Sequence, residues 1–419
     1  MTHSATTLPA ATLPESAQSW LTDAGTLSVM AALGRDKARF VGGAVRDSLM
    51  GNPVSDIDIA TQLEPDAVMA ALKSAGIKAI PTGLAHGTIT AVVDGSPIEI
   101  TTLRRDVETD GRRAVVAFTL DWAEDAERRD FTMNALYADC EGNVYDPTGC
   151  GLDDLAARRF VFVGDADMRV AEDHLRIMRY FRFLAWHGGD AKLDADALRA
   201  CREGRGGLAK LSAERVWGEL KKLLKAPNPT RILQIMLTNE ILEKIVPEAS
   251  NVDGLSHFIA LEREHGLVID PLRRIMAMSA RNPLPMALLC KRMKVSQAEK
   301  SRLRGWTQDD TVFEAGLSER EAKIAIYKAG NGRAADRCLI RAAGESDPIL
   351  RAKWMALVTL SQNWMPPRFP LTGKDMLEQG IKPGPAMGKK LAALEALWVR
   401  SAFTTGKEQL LMALKLLGR

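Results

Sequence analysis

A small mixed α/β head followed by an all-helical remainder is the fold class that three features of these 419 residues predict. Up to about residue 150, short β-rich runs alternate with helical ones, the pattern of a sheet covered by helices. Beyond that point strand signals nearly vanish and apolar residues recur at helical spacing. Charge also divides the chain. Residues 271–419 carry 26 Lys/Arg against 13 Asp/Glu, whereas residues 1–270 carry 30 against 40. A solvated basic surface is the plain reading of such a bias, but a whole basic third suits a polyanion, nucleic acid first, gripped away from an acidic centre.

Composition narrows the class. With 46% hydrophobic and 26% charged residues the chain reads as an ordinary soluble protein with ample core. Cys140, Cys150, Cys201, Cys290 and Cys338 are scattered and odd in number, without CxxC spacing. They read as reduced thiols of a cytoplasmic protein, with neither a disulfide frame nor a zinc site. No apolar run approaches 18 residues, so no membrane span is expected. Residues 1–20 open on a Thr/Ser/Ala/Pro-rich stretch that reads as a disordered tail and not as a signal peptide.

The elements follow in order. Arg39–Val41 is a short apolar strand that runs into Gly42-Gly43 and then a helix, Ala44–Met50. Glycines there let the backbone approach an anion, and the helix start offers unpaired N–H groups. A second strand, Asp56–Ala60, places Asp56 and Asp58 on one side because strand residues two apart share a face. An isolated Asp-x-Asp is more often a solvated strand end. Next to a strand–Gly-Gly–helix unit, the pair suits Mg²⁺, which takes hard oxygen ligands together with substrate phosphates. A helix over Pro65–Ala75 and strands over Thr88–Val93 and Ile98–Leu103 complete the sheet, and Glu99 is a candidate third carboxylate or an exposed strand residue. The polar stretch from about Arg104 to Val116, with Arg105, Asp110, Gly111 and Arg112, has too little apolar content to pack itself and reads as a mobile loop.

Arg128-Arg129-Asp130, with Asn134 close behind, pairs two fork-shaped donors suited to phosphate oxygens with groups that can bond ribose hydroxyls. A surface charge cluster is the alternative. The stretch Asp167–Trp186 reads as one helix, placing Asp173 and Arg176 on one face with Glu172 able to brace Arg176. A surface ion-pair ladder fits the same letters. The chemical reading is sharper. Cytosine and adenine both offer an amino donor beside a ring-nitrogen acceptor, whereas uracil and guanine offer the reverse. A carboxylate beside a guanidinium therefore satisfies C and A and leaves U and G unpaired. Helices follow over Ser212–Leu224, Thr230–Leu237 and Asn239–Val246, broken at Pro227 and Pro229.

GGAVRD followed by SDIDIAT resembles the opening motif of the polymerase-beta-like nucleotidyltransferases, in the class II form that includes bacterial CCA-adding enzymes and poly(A) polymerases. PTGLAHGTIT, TTLRRDVETDGRR, RRDFTMNA and EDHLRIMRYFRF resemble further motifs of the CCA-adding branch, and no basic GRRF-type stretch of the poly(A) polymerase kind occurs between the first two. The resemblance is close over residues 38–250 and loose over 369–415. It implies a nucleotidyltransferase palm with helical neck, body and tail: head 21–150, neck 151–226, body 227–340 and a tRNA-binding tail 341–419. It implies Mg²⁺ on Asp56 and Asp58, with Glu99 beside them, and CTP and ATP as substrates bound by Gly42, Gly43, Arg46, Arg128, Arg129, Asp130, Asn134, Glu172, Asp173, Arg176 and Arg179. Arg215, in LSAERVWGEL, is expected to brace the base-reading helix. The loop of Arg105–Arg112 is expected to switch base preference, and Lys382, Lys389 and Lys390 beside a GxxPGPxxG turn are expected to hold the RNA backbone of the tRNA 3′ end and acceptor/T arm. Rival readings are a poly(A) polymerase, a CC-only or A-only adding enzyme, and an inactive RNA-binding protein.

Overall fold

The computed structural model describes residues 8–109 and 114–416, and they divide into two compact units that meet between Ile245 and Val246. The first unit opens with strand β1 (Ala11–Thr12), helices α1 (Gln18–Leu21) and α2 (Ala24–Leu33), strand β2 (Ala38–Val41), helix α3 (Gly43–Leu49) and strand β3 (Asp58–Thr61). Helix α4 (Pro65–Ser74) leads to β4 (Lys78–Gly83), β5 (Thr88–Val93) and β6 (Ser96–Thr102), then β7 (Arg104–Thr109) and β8 (Ala114–Phe118). After α5 (Trp122–Glu127), β9 (Tyr137–Ala138) and β10 (Asn143–Tyr145), only helices remain: α6 (Gly151–Ala156), α7 (Ala166–Glu172), α8 (Leu175–Phe183), α9 (Ala195–Gly204), α10 (Ala213–Leu224), α11 (Thr230–Thr238) and α12 (Leu242–Ile245).

Eight strands form one sheet in the order β1-β10-β9-β2-β3-β6-β5-β4, and only β3 and β6 run parallel. The mixed head and helical remainder thus match the fold class read from the sequence. Four local expectations need correction. Residues 8–20 are no loose tail: Ala11 pairs with Val144, and Leu13, Ala17, Trp20 and Leu21 are buried. Trp20 meets Phe40 edge-on at 4.9 Å and donates to the Ser48 hydroxyl, so apolar burial holds the segment. The stretch 104–118 is a hairpin, β7 against β8, its turn outside the described residues, in keeping with the strand-forming residue types Val115, Val116 and Phe118 in its second arm.

The third correction concerns Asp56, which precedes the strand. Gly42 turns β2 away at φ 70°, and the β3–β6 register begins only at Asp58 and Glu99, so Asp56 lies outside the ladder. The fourth concerns the long helix predicted over 167–186. It breaks at Asp173, whose backbone is extended (φ −149°, ψ 104°), and restarts at Leu175. The Asp173 carboxylate accepts the Leu175 N–H at 3.0 Å, competing with the helical path as short polar side chains do.

Phe131, Phe162, Tyr180 and Phe183 pack together at centroid distances of 5.0 to 6.2 Å. This wedge seats α8 on the segment that follows Arg128 and Arg129, and so fixes the two motifs against each other.

The second unit is helical throughout its described residues: α13 (Val252–Glu264), α14 (Pro271–Met278), α15 (Pro283–Arg292), α16 (Gln297–Gln308), α17 (Glu319–Ala329), α18 (Asn331–Ala343), α19 (Pro348–Asn363), α20 (Gly373–Glu378), α21 (Pro385–Arg400) and α22 (Lys407–Leu416). One core gathers Phe258, Leu339, Trp354 and Leu357, and another gathers Leu371, Met376, Trp398 and Leu410. Buried charges are paired: Glu262 takes the Arg274 fork, and Asp336 takes Arg273 and Arg302.

Candidate active site

The parallel pairing of β3 and β6 puts Asp58 in register with Glu99 at one end of the sheet, where Gly42 ends β2. Asp56 is exposed two residues before Asp58 and accepts the Ser55 hydroxyl at 2.9 Å. Burial raises the Asp58 carboxyl above the usual carboxylate range, Glu99 and Asp56 push the same way, and Arg129 opposes them. Negative charge that outweighs its one opposing guanidinium is a natural place for a metal. Among the described residues no three His, Cys, Asp or Glu side chains converge as a ready-made cage. A cation held by Asp56 and Asp58 would complete its shell with water and phosphate oxygens, as Mg²⁺ commonly does.

Arg128 and Arg129 share a residue that the motif reading overlooked. Asp125, 1% exposed, accepts Arg128 Nε at 2.8 Å and Arg129 Nη2 at 2.9 Å, and the Tyr137 hydroxyl donates to it at 2.7 Å. Burial alone would raise its pKa, but Arg129, Arg128 and Tyr137 hold it down to about 2. Two cations on one anion leave one positive charge over. An ideal Cβ on Gly42 would lie 3.9 Å from Arg129 Nη1, so the glycine backbone and that guanidinium line the same space. The signal was present in sequence: on a helix, Asp125 sits three and four residues before the two arginines.

Arg46, Asn134, Asp130 and Arg179 form a chain. Arg46 donates to the Asn134 amide oxygen at 2.7 Å and Asn134 donates to Asp130 at 3.0 Å. Asp130 takes the Arg179 fork, with Arg179 Nε at 2.7 Å. The Arg46 guanidinium also lies on the Asp47 carboxylate. Burial would raise the Asp130 pKa, but Arg179 and Asn134 hold it at about 2. Arg46, Asp130 and Asn134 are all buried, so in this state they bond one another; Arg179, 36% exposed, is the open end.

Glu172 accepts both Arg169, at 2.8 Å, and Arg176. Arg176 further donates to the carbonyls of Arg169 (3.0 Å) and Arg128 (3.3 Å), which ties the Glu172–Arg176 motif to the arginine pair. Asp173 accepts Arg215 from α10 at 2.6 Å. His174 lies on Gly207, where an added Cβ would come within 1.8 Å of its ring, so only glycine leaves room. Arg169 and Gly207 were missed because their roles depend on a break in a helix and on a neighbour distant in sequence, whereas the local spacing of Asp125 could have been read.

Of the hairpin residues, Arg105 is exposed 4.0 Å from Glu124, and Asp110, Gly111 and Arg112 lie outside the described residues. In the second unit, Lys382 and Lys389 are exposed and Lys390 is partly so, around the start of α21, where Gly384 adopts φ 146°.

Two family models match: the poly A polymerase head domain over residues 38–161, and the probable RNA and SrmB-binding site of polymerase A over residues 191–252. The chain is 33% identical to the CCA tRNA nucleotidyltransferase 1, mitochondrial, of Danio rerio, covering 90% of this chain and 86% of that protein. It is equally 33% identical to the CCA-adding enzyme of Geobacillus thermodenitrificans, over 86% of this chain and 88% of the relative. Its fold is similar to the crystal structure of the Bacillus stearothermophilus CCA-adding enzyme in complex with CTP, with a TM-score of 0.74, 28% identity and coverage of 94% and 97%. No helix among the described residues is long and apolar enough to cross a membrane.

Proposed function

This chain belongs to the CCA-adding tRNA nucleotidyltransferases, and from that premise we propose which of its residues carry each part of the reaction. It adds C, C and A to the 3′ end of tRNA from CTP and ATP, releasing pyrophosphate, without a nucleic-acid template. The relatives that match most of its length carry that name, which sets aside the poly(A) polymerase and inactive readings.

Asp56 and Asp58 would hold Mg²⁺, with Glu99 adding to the local negative field. The bound cation would lower the barrier by neutralising charge on the attacking hydroxyl oxygen and the phosphates. Gly42 and Gly43 keep the backbone open to the triphosphate, and Arg128 and Arg129 bring their surplus charge to its oxygens. The tRNA 3′-oxygen then forms a bond to the α-phosphorus as the bond to pyrophosphate breaks. Arg46, Asp130, Asn134 and Arg179 shape the ribose side, where contact with a hydroxyl requires exchange of one internal bond. Asp173 accepts the amino group of C or A while Arg176, braced by Glu172, donates to the ring nitrogen. Lys382, Lys389 and Lys390 contact the tRNA backbone. Head, neck, body and tail are functional divisions of this reading; the step at 226/227 lies within the first compact unit and that at 340/341 within α18. A cytoplasmic setting suits the scattered, odd-numbered cysteines of the sequence.

The observation that carries this assignment is the register of Asp58 with Glu99 beside Arg129. The test offers tRNA transcripts ending before C, CC and CCA each NTP in turn and sizes the products. Extension that stops at CCA is expected. A long A tract, arrest at CC, addition of A alone, or no extension would each overturn it.

A further inference from the structure

Helix α5 stands between the arginine pair and the β7–β8 hairpin, and it is bonded to both. On one side the Asp125 carboxylate holds Arg128 and Arg129. On the other, the same Oδ1 that accepts Arg128 also accepts the backbone N–H of Arg104, the first residue of β7, at 3.3 Å. The hairpin exit is tied in as well: the Thr119 N–H donates to the Leu103 carbonyl at 2.9 Å, and its hydroxyl donates to Glu124. Oδ2 takes Tyr137 and Arg129. With both oxygens occupied, a shift of either arginine toward a phosphate changes the hold on Arg104.

We propose that Asp125 is a positioning residue that couples triphosphate binding by Arg128 and Arg129 to the placement of the β7–β8 hairpin, and through it to the choice between C and A. The inference rests on the nucleotidyltransferase assignment above. It makes Asp125 more than a buried counter-ion. A counter-ion would stabilise the arginines alone, whereas this carboxylate also anchors the root of the segment expected to switch base preference.

The experiment uses full-length protein, tRNA ending before C and tRNA ending in CC, with kcat and KM measured for CTP and ATP per folded enzyme. Asp125→Asn should raise KM for both nucleotides about tenfold and lower AMP relative to CMP addition by a further factor of about five. Tyr137→Phe, which keeps the charge but removes one donor to Asp125, should change both readouts in the same direction by about threefold, and it decides the matter if Asp125→Asn does not fold. A lowered melting temperature with unchanged KM, or a raised KM with an unchanged A-to-C ratio, overturns the coupling. Wild-type protein that extends no tRNA overturns the functional assignment instead.

Discussion

Arg215 on α10 donates to the Asp173 carboxylate at 2.6 Å, across 42 residues of sequence. The side chains are 42% and 28% exposed, so the pair contributes at most about 1 kcal/mol. In the base-reading role proposed for Asp173, so weak a bond orients the acceptor without competing strongly with a nucleobase amino group. Exchange of Arg215 for the base leaves the carboxylate satisfied in both states.

Asp173→Ala with Arg176→Ala should relax selection, raising UMP or GMP relative to CMP incorporation by about 10²-fold or more, since unpaired buried groups no longer penalise U and G. Arg215→Ala should shift the same ratio less. Competition assays with mixed nucleotides measure it. A uniform loss of rate at constant C-to-U preference would falsify the base-reading assignment.

Asp58→Asn and Asp56→Asn should each lower nucleotide addition by about 10³-fold with tRNA affinity nearly unchanged. The raised Asp58 pKa adds a stability signature. A carboxyl whose folded pKa exceeds its unfolded value favours folding while protonated, and that gain disappears as pH rises through the folded pKa. At neutral pH without divalent ions, Asp58→Asn should therefore melt higher than wild type. Mg²⁺ should raise the wild-type melting temperature and leave the variant's almost unmoved. Equal responses to Mg²⁺ would remove Asp58 from the metal site.

Replacing Val107–Arg112 by a Gly-Ser link should leave CMP addition largely intact and reduce terminal AMP addition at least about tenfold. Gel analysis should then show tRNA ending in CC. Equal loss of both steps, or normal completion, argues against a switching role for the hairpin.

Lys382→Ala, Lys389→Ala and Lys390→Ala together should weaken tRNA binding about tenfold and flatten its salt dependence by about two units of log–log slope. Substitution is a cleaner test than removal of residues from 341 onward, because that cut would strip Ala342, Trp354, Leu357 and Val358 from the core around Phe258. Titrations across a salt series give the slope, and an unchanged one would place the grip elsewhere.

Asp125 and Asp130, both held at about 2 against an ordinary 3.8, stabilise the folded state above pH about 4 and lose that contribution as pH falls toward 2. Asp130→Asn should lower stability at neutral pH and shrink the difference between pH 4 and pH 2. Chemical denaturation at each pH reads this directly, and an undiminished pH dependence would contradict the pairing with Arg179.

The head was legible because its signals are local. Gly42-Gly43 after an apolar strand, an Asp-x-Asp pair and an alternation that stops near residue 150 announce an α/β sheet before helices, and their order fixes which groups stand at one sheet end. The interval 250–365 carried no comparable motif, since amphipathic helices look alike from any one of them. Its pairing of Asp336 with Arg273 and Arg302 joins three separate helices.

By itself, the sequence determined the class of chemistry and offered the side chains proposed for it: carboxylates for a cation, arginines for phosphates, and an acceptor–donor pair for C and A. Tertiary structure alone decided how those side chains are held. The break at Asp173 frees its carboxylate to meet Arg215, the parallel register sets Glu99 beside Asp58, and burial makes Asp125 the shared partner of Arg128, Arg129 and the Arg104 N–H. Residue type fixes charge and hydrogen-bonding capacity, whereas solvent exclusion and partners distant in sequence fix pKa, orientation and which bonds exist at all.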